Sequence, residues 1–423
     1  MRRLTFVLLL IMIFTIPLEG AARLGGATSI ARSIGLVVFV SWLATIVVTK
    51  QIRRISTIHI LVLAYVLWFG LSDFWSHNPS ITSFRFKTYI QLLLFFVIIW
   101  DMFLHRGDVD WGLQAFLIGC YFAAIGTWHS FLTGQTYNAF QERYTSFAGI
   151  DPNSAGVVMA LAIPMAWWLA QESDVIRNRK WLRMLNYAYI PLATFAILLT
   201  ASRTALLAVI IAYMFILVAA QSLGWITRIF IIAMLGGAIY GVTQYVPAAS
   251  FERLNTIGES ISENDLTGRG EIWQEGIEFI RDYPVLGIGG GNFAYRSTIG
   301  LPAHNLVISV WAETGLIGVV LYLSIIGVVI WSALRHRPME AFFWCTLILI
   351  WATGAASLNW EARKQTWLIF GLTMASAYSI ENISRLLFVR EYQPRDDGVS
   401  SKIWGRNRVT LNICTPCSGD TKN

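Results

Sequence analysis

Apolar residues in this chain fall into long continuous runs separated by short polar connections. The runs lie at approximately 4–22, 30–49, 58–75, 88–104, 111–132, 153–171, 183–200, 204–221, 226–246, 304–331, 341–358 and 366–383. A helix rising about 1.5 Å per residue crosses a hydrocarbon core of about 30 Å in about 20 residues, so the runs read as about twelve membrane spans. A transmembrane barrel would instead alternate apolar and polar residues over roughly 10-residue segments. The pattern therefore predicts an all-α fold, a polytopic membrane helix bundle of about twelve transmembrane helices. Residues 1–392 form a single polytopic membrane domain with no internal repeat, and 393–423 form a polar tail.

One long interval, Pro247 to Asn305, interrupts the pattern. Its loop proper, 247–303, carries acids (Glu252, Glu259, Glu263, Asp265, Glu271), arginines (Arg253, Arg269, Arg281, Arg296) and glycines (Gly287, Gly289, Gly290, Gly291), and His304 follows. Within it, Glu271 to Ile280 has helical periodicity, with Ile272, Trp273, Ile277 and Ile280 expected near one face. Thr267 is a candidate cap, and Asp282-Tyr283-Pro284 a stop. The expectation is an amphipathic helix at the outer membrane surface, folded over the bundle, followed by a tight glycine turn.

Composition agrees with a membrane protein: 56% of the 423 residues are hydrophobic and 13% charged, against about 25% charged in soluble domains. The net charge of +7 does not indicate nucleic acid, because the basic residues sit mostly in the short connections, where they report topology. With the N-terminus in the cytosol, Arg2 and Arg3, Lys50, Arg53 and Arg54, Arg106, Arg177 to Arg183, Arg228, Arg335 and Arg337, and Arg385 onward all fall on the cytosolic side. Both termini are then cytosolic and the large loop is outside. The signal-like start, Met1-Arg2-Arg3 before an apolar run, is kept as a helix in this scheme. Cys120 and Cys345 lie in apolar runs. Cys414 and Cys417 have C-x-x-C spacing but no second pair, so they are read as coincidental. There is no H-E-x-x-H or paired-cysteine metal site, and no metal or cofactor is assigned.

Ionisable groups at a membrane edge are the candidates for chemistry. Arg203, between two apolar runs, can hold a phosphate in a bidentate manner; its plain alternative is snorkelling to lipid headgroups. Arg269 lies between Gly268 and Gly270 at a helix start that favours anions, or is an ordinary loop arginine. His304 can take a proton from a sugar hydroxyl, or is structural. Glu313, about 13 Å deeper on a regular helix, either orients a catalytic residue or is a buried neutral acid. Asp151-Pro152-Asn153 reads as a helix cap with Glu142 and Arg143 just before it. Topology gathers Arg203, Arg269 and His304 at the outer face. Two cations and a base there suit a phosphate-containing lipid leaving group and a hydroxyl acceptor. A soluble nucleotide-sugar donor, being cytosolic, does not fit.

Four stretches in order carry a family resemblance: Arg143 to Gly156 (RYTSFAGIDPNSAG), Leu199 to Leu206 (LTASRTAL), Thr267 to Gly276 (TGRGEIWQEG) with Tyr283 to Gly289, and Ala303-His-Asn-Leu306 through Ala312 to Gly318. They span about 140–330, and the chain resembles the O-antigen ligase and Wzy-type polysaccharide polymerase superfamily. The resemblance implies a metal-independent glycosyltransferase of the bacterial inner membrane, active at the periplasmic face. It would move a glycan from undecaprenyl diphosphate to an acceptor glycan or glycolipid. It also implies that Arg203 and Arg269 bind the diphosphate and that His304 is the base or orienter of the acceptor. Arg143, Asn305 and Glu313 are the supporting candidates. Thr204 stands where many relatives have glycine. The acceptor is lipid A–core in a ligase and a second lipid-linked repeat unit in an O-antigen or exopolysaccharide polymerase. A glycan flippase is the alternative from another class, but it would line a midplane path with polar groups.

Overall fold

The computed structural model describes residues 1–19, 23–24, 28–137, 143–146, 150–222, 224–225, 236, 240 and 269–391, with backbone alone at 23–24, 28–31, 222, 269 and 379–391. The expected span at 226–246 (apart from residues 236 and 240), the early part of the polar interval with Thr267, and the tail with Cys414 and Cys417 lie outside the described residues.

Among the described residues the fold is a helix bundle. In chain order the helices are α1 (Arg2–Thr15), α2 (Ile30–Thr49), α3 (Thr57–Leu71), α4 (Pro79–Met102), α5 (Arg106–Leu132), α6 (Pro152–Gln171), the short α7 (Asp174–Arg177), α8 (Lys180–Leu199), α9 (Arg203–Ala219), α10 (Arg269–Asp282), the short α11 (Phe293–Arg296), α12 (Leu306–Leu334), α13 (Pro338–Ala355) and α14 (Lys364–Glu391). A two-stranded antiparallel ladder, Arg23–Leu24 with Thr28–Ser29, precedes α2. One compact unit covers Met1–Glu381, and a second begins at Asn382, within the last turns of α14. Among the described residues, 8 helices are long and apolar enough to cross a membrane, and α9 is a shorter apolar helix. The chain is an integral membrane protein.

The central element is α6, whose most apolar window is 89% buried. It packs against α5, α8, α9 and α13. Small residues permit this: Ala155, Gly156, Ala160, Ala162 and Ala166 are buried along it, and a Cβ on Gly156 would lie 2.5 Å from the Ala205 Cβ of α9. Small side chains let backbones approach where lipid supplies no hydrophobic drive between helices. Some buried polar groups around α6 are paired across helices. Gln114 and Asn186 exchange amide hydrogen bonds of 3.0 and 2.8 Å, and the Tyr189 hydroxyl donates to the Met159 carbonyl at 2.9 Å.

Some boundaries depart from the apolar pattern. α4 starts at Pro79 rather than near 88, because Pro79 opens the helix and the Asn78 side chain caps it. Arg85 and Lys87 on its early turns hide those turns from a hydropathy reading. α1 stops at Thr15 and passes into a short 3-10 turn, Ile16–Leu18, containing Pro17.

The largest departure is in α12. It is a pair of helical segments joined at Gly315, whose φ of 68° and ψ of −171° are not helical. Carbonyls freed at the break take donors from elsewhere. Ala312 O accepts from Ile288 N (2.9 Å) and Glu313 O from Gly289 N (3.0 Å). Thr314 O accepts from the Trp68 indole at 2.8 Å. The freed Leu316 N–H donates to Pro284 O at 2.9 Å. The glycine run is thus an insert into a helix break, which is more than the tight turn expected from the sequence. Unsatisfied backbone groups are too costly at membrane depth to persist, so break and insert stabilise each other.

Glycine is required on both sides of this junction. A Cβ on Gly315 would lie 2.0 Å from the Val285 carbonyl oxygen, and one on Gly287 (φ +74°) would lie 2.5 Å from Glu313 backbone atoms. Gly315→Ala is expected to destabilise the protein by about 1–3 kcal/mol from backbone strain alone, before the clash is added. Gly327→Ala, in the same helix with nothing within 4 Å of its Cβ position, is expected to leave stability unchanged or slightly raised. Thermal unfolding of the two variants in detergent checks this.

Candidate functional site

At one end of the bundle, four segments are tied together: the α8–α9 turn, the α10 helix, the approach to α12, and the α13–α14 connection. Each carries or supports a residue singled out above.

Arg203 is the first residue of α9. Ser202 caps that helix by accepting from Ala205 N at 3.2 Å. The turn before it bends through Ala201, whose φ is +47°. Arg143, only 7% exposed, holds this turn. Its Nε donates to Thr200 O at 2.9 Å and its guanidinium to the Asn153 side chain at 2.8 Å. Tyr144 N donates to Leu199 O at 3.1 Å. Asp151 is the N-cap of α6, accepting from Ser154 N at 2.8 Å. Arg143 therefore acts on the Arg203 turn through backbone, and its charge is already engaged by protein groups.

His304 takes a left-handed backbone conformation, φ +50°, which is uncommon for a residue with a side chain. Its N–H donates to the Asn359 side chain at 2.9 Å. Asn305 caps α12, accepting from Val307 N (3.0 Å) and Ile308 N (3.1 Å). Its amide also donates to Ala356 O at 3.3 Å. The span expected to open at His304 thus starts at Leu306, with His304 held just outside it.

Arg269 is the first residue of α10, and only its backbone is described. The helix docks on α12 through Ile272, Phe279 and Ile280, which pack with Phe293, Ala303 and Ile308. Gly276 makes the approach possible, since a Cβ there would lie 2.4 Å from the Ile308 side chain. The Trp273 indole donates to Ala303 O at 3.0 Å, next to His304. Ile277 is not on this face; it is 59% exposed. At about 100° per residue, Gly276, Phe279 and Ile280 fall near Ile272, whereas Ile277 lies about 140° away.

Glu313 goes to the glycine segment. Its carboxylate accepts from Gly291 N (2.7 Å) and Phe293 N (3.2 Å). The same segment is anchored on the α3–α4 connection and the first turn of α4 by Gly290 N to the Ser72 hydroxyl (2.9 Å) and by Asn292 to the Ser76 (2.8 Å) and Thr82 (2.9 Å) hydroxyls. Glu313 thereby positions the insert that α10 is attached to.

The 356–363 connection joins these parts, and the sequence reading gave it no role. Ser357 hydrogen-bonds Thr204, beside Arg203, at 3.0 Å. Ala356 accepts from Asn305, and Asn359 accepts from His304. Asn359 also donates to Ser309 at 3.1 Å, and Ser309 donates to Glu361 at 3.4 Å. Polar residues between two strongly apolar runs (SLNWEAR) were the available signal. Burial pushes the Glu361 carboxyl above the usual carboxylate range, with Asn359, Arg85 and Arg363 opposing the shift. The connection thus ties the Arg203 turn to the His304 loop by hydrogen bonds from Ser357, Asn359 and Ala356. Among the described residues no group of acids, histidines and cysteines gathers as a metal site.

Two measurements probe this arrangement. Asn359→Ala leaves the His304 N–H without its acceptor and is expected to cost about 1–3 kcal/mol in unfolding experiments. Because the folded-state pKa of Glu361 is raised, the folded form keeps its proton to higher pH than the unfolded form. Its contribution is full below the unfolded value of about 4.3 and is lost as pH rises through the folded value. Stability against pH should fall over that window in the parent and be flatter in Glu361→Gln.

Residues 188–323 match a family model described as O-antigen ligase. The match includes Arg203, Arg269, His304 and Glu313 and excludes Arg143 and the 356–363 connection. The exopolysaccharide production protein ExoQ of Rhizobium meliloti (strain 1021) is 25% identical over 341 residues, which covers 74% of this chain and 73% of that protein.

Proposed function

We propose that this chain, a member of the O-antigen ligase and Wzy-type polymerase superfamily, transfers a glycan from undecaprenyl diphosphate to a sugar hydroxyl at the periplasmic face of the inner membrane. The observation that carries the reading is the tie between the Arg203 turn and the His304 loop through the 356–363 connection. It supports a single site in which a phosphate-binding cation and a titratable ring belong to one rigid framework. In this reading Arg203 and Arg269 bind the diphosphate leaving group, where fixed positive charge stabilises developing negative charge. His304 orients the acceptor hydroxyl or takes its proton. The chemistry proceeds without a metal ion. Asn305 and Glu313 support from the second rank: one caps the helix that follows His304, the other fixes the glycine insert.

Two acceptors suit the same site: lipid A–core, which makes the protein a ligase, and a second lipid-linked repeat unit, which makes it a polymerase. The likeness to a protein named for exopolysaccharide production, extending over 341 residues, favours the polymerase reading.

The test is deletion of the gene and complementation with the parent, Arg203→Ala and His304→Ala, followed by analysis of surface glycan and lipid-linked intermediates. Each variant is expected to lower glycan transfer by about 10²-fold or more. Accumulation of single lipid-linked repeats identifies a polymerase. Full-length polymer stranded on the lipid identifies a ligase. Normal glycan in both variants removes these residues from the site. Loss of periplasmic exposure of the lipid-linked repeat would indicate a flippase instead.

A further inference from the structure

Beside the His304 loop lies a cavity of about 710 Å³ that the roles given above do not use. Its polar end includes Arg85, Asn359 and Glu361, and its apolar wall includes Leu36, Phe39 and Phe95 from α2 and α4. Arg203 is not among its lining residues. Glu361 is 9% exposed. One of its carboxylate oxygens receives Ser309 and Asn359, at 3.4 and 3.5 Å. The other, Oε2, is buried and has no hydrogen-bond partner among the described residues. Buried carboxylate oxygens are ordinarily satisfied, and the Glu361 side chain lines the cavity, so a small shift of this carboxyl would bring its unpaired oxygen to a donor there. A sugar hydroxyl is such a donor. Asn359, which receives the His304 N–H, stands between Glu361 and His304 in this network.

The opposite wall asks for a different chemistry. α2 packs mainly on α1 and only sparingly on α4, and Leu36 is 65% exposed at this gap. α2 is a candidate membrane span with 17% of its apolar window buried, so this wall opens toward lipid, and a lipid-borne sugar can keep its chain there. We propose that the cavity is the acceptor subsite, which seats the sugar head of a glycolipid against Glu361 and Asn359 with its lipid chain along the α2–α4 wall. It rests on the glycosyl-transfer reading above, and it gives the acceptor a place separate from the Arg203 side of the site.

The experiment uses the full chain in lipid nanodiscs with a dodecyl maltoside probe carrying a photoreactive diazirine in its chain. A dodecyl phosphate of the same design is the sugar-free control. The maltoside is expected to label α2 and α4 peptides, and Glu361→Gln and Leu36→Trp are each expected to lower that labelling by about ten-fold. Leu36→Trp narrows the cavity from an exposed position, so it remains informative if the Glu361 variant folds poorly. Labelling elsewhere, equal labelling by the phosphate probe, or labelling unchanged in both variants overturns the proposal. In turnover assays the same variants should raise KM for the acceptor by about ten-fold while KM for the donor stays within about two-fold. The reverse split, or no change in either, also overturns it. Labelling needs no turnover. A parent chain that labels here yet transfers no glycan would overturn the glycosyl-transfer reading, and the acceptor role with it, while leaving a glycolipid site.

Discussion

The break at Gly315 is the constraint on which the functional end of the protein depends. A regular helix in place of α12 would satisfy its own backbone and offer nothing to the chain beside it. With the break, the Ala312, Glu313 and Thr314 carbonyls and the Leu316 N–H need outside partners, and the 284–292 segment and Trp68 supply them. That exchange fixes a loop at a depth where an unpaired loop would be costly. It also fixes what the loop carries: α10 on one side, and the approach to His304 on the other. Glu313 completes the junction by receiving Gly291 and Phe293.

A second layer of order comes from capping groups. Ser202, Asn305 and Asp151 cap α9, α12 and α6 at this end. Arg143 holds the turn leading to Arg203, and Asn359 holds the backbone of His304. Two residues here, Ala201 and His304, adopt left-handed backbone. Conformations of that kind persist only where the surroundings over-determine them, and these bonds do so. The candidate side chains are therefore presented by backbone that has little freedom to relax. This is the condition under which fixed charges act on a reacting group without reorganising.

Much of the fold was legible in the sequence. Continuous apolar runs pointed to the all-helical membrane architecture, because only helices and closed barrels satisfy a backbone in lipid and a barrel would alternate apolar with polar residues. Arg203, His304 and the amphipathic α10 stood out as polar features beside apolar runs, and Asp151-Pro152 read correctly as a helix start. Ile277 was placed on the wrong face because a short helix with several isoleucines admits more than one apolar stripe. Arg85 and Lys87 concealed the early turns of α4, since hydropathy averages charge into the window and loses the helix.

By itself, then, the sequence determined the class of structure and the residue types available for chemistry: hydropathy and charge are local properties, readable one window at a time. Only the tertiary structure decided that the glycine run enters a helix break, that Glu313 binds this insert, and that 356–363 ties the Arg203 turn to the His304 loop. Those contacts join residues far apart in the chain, such as Thr204 with Ser357 and Trp68 with Thr314. A hydrogen bond between distant segments leaves no periodic trace in either one. The polar residues of 356–363 look like an ordinary connection until the fold supplies their partners.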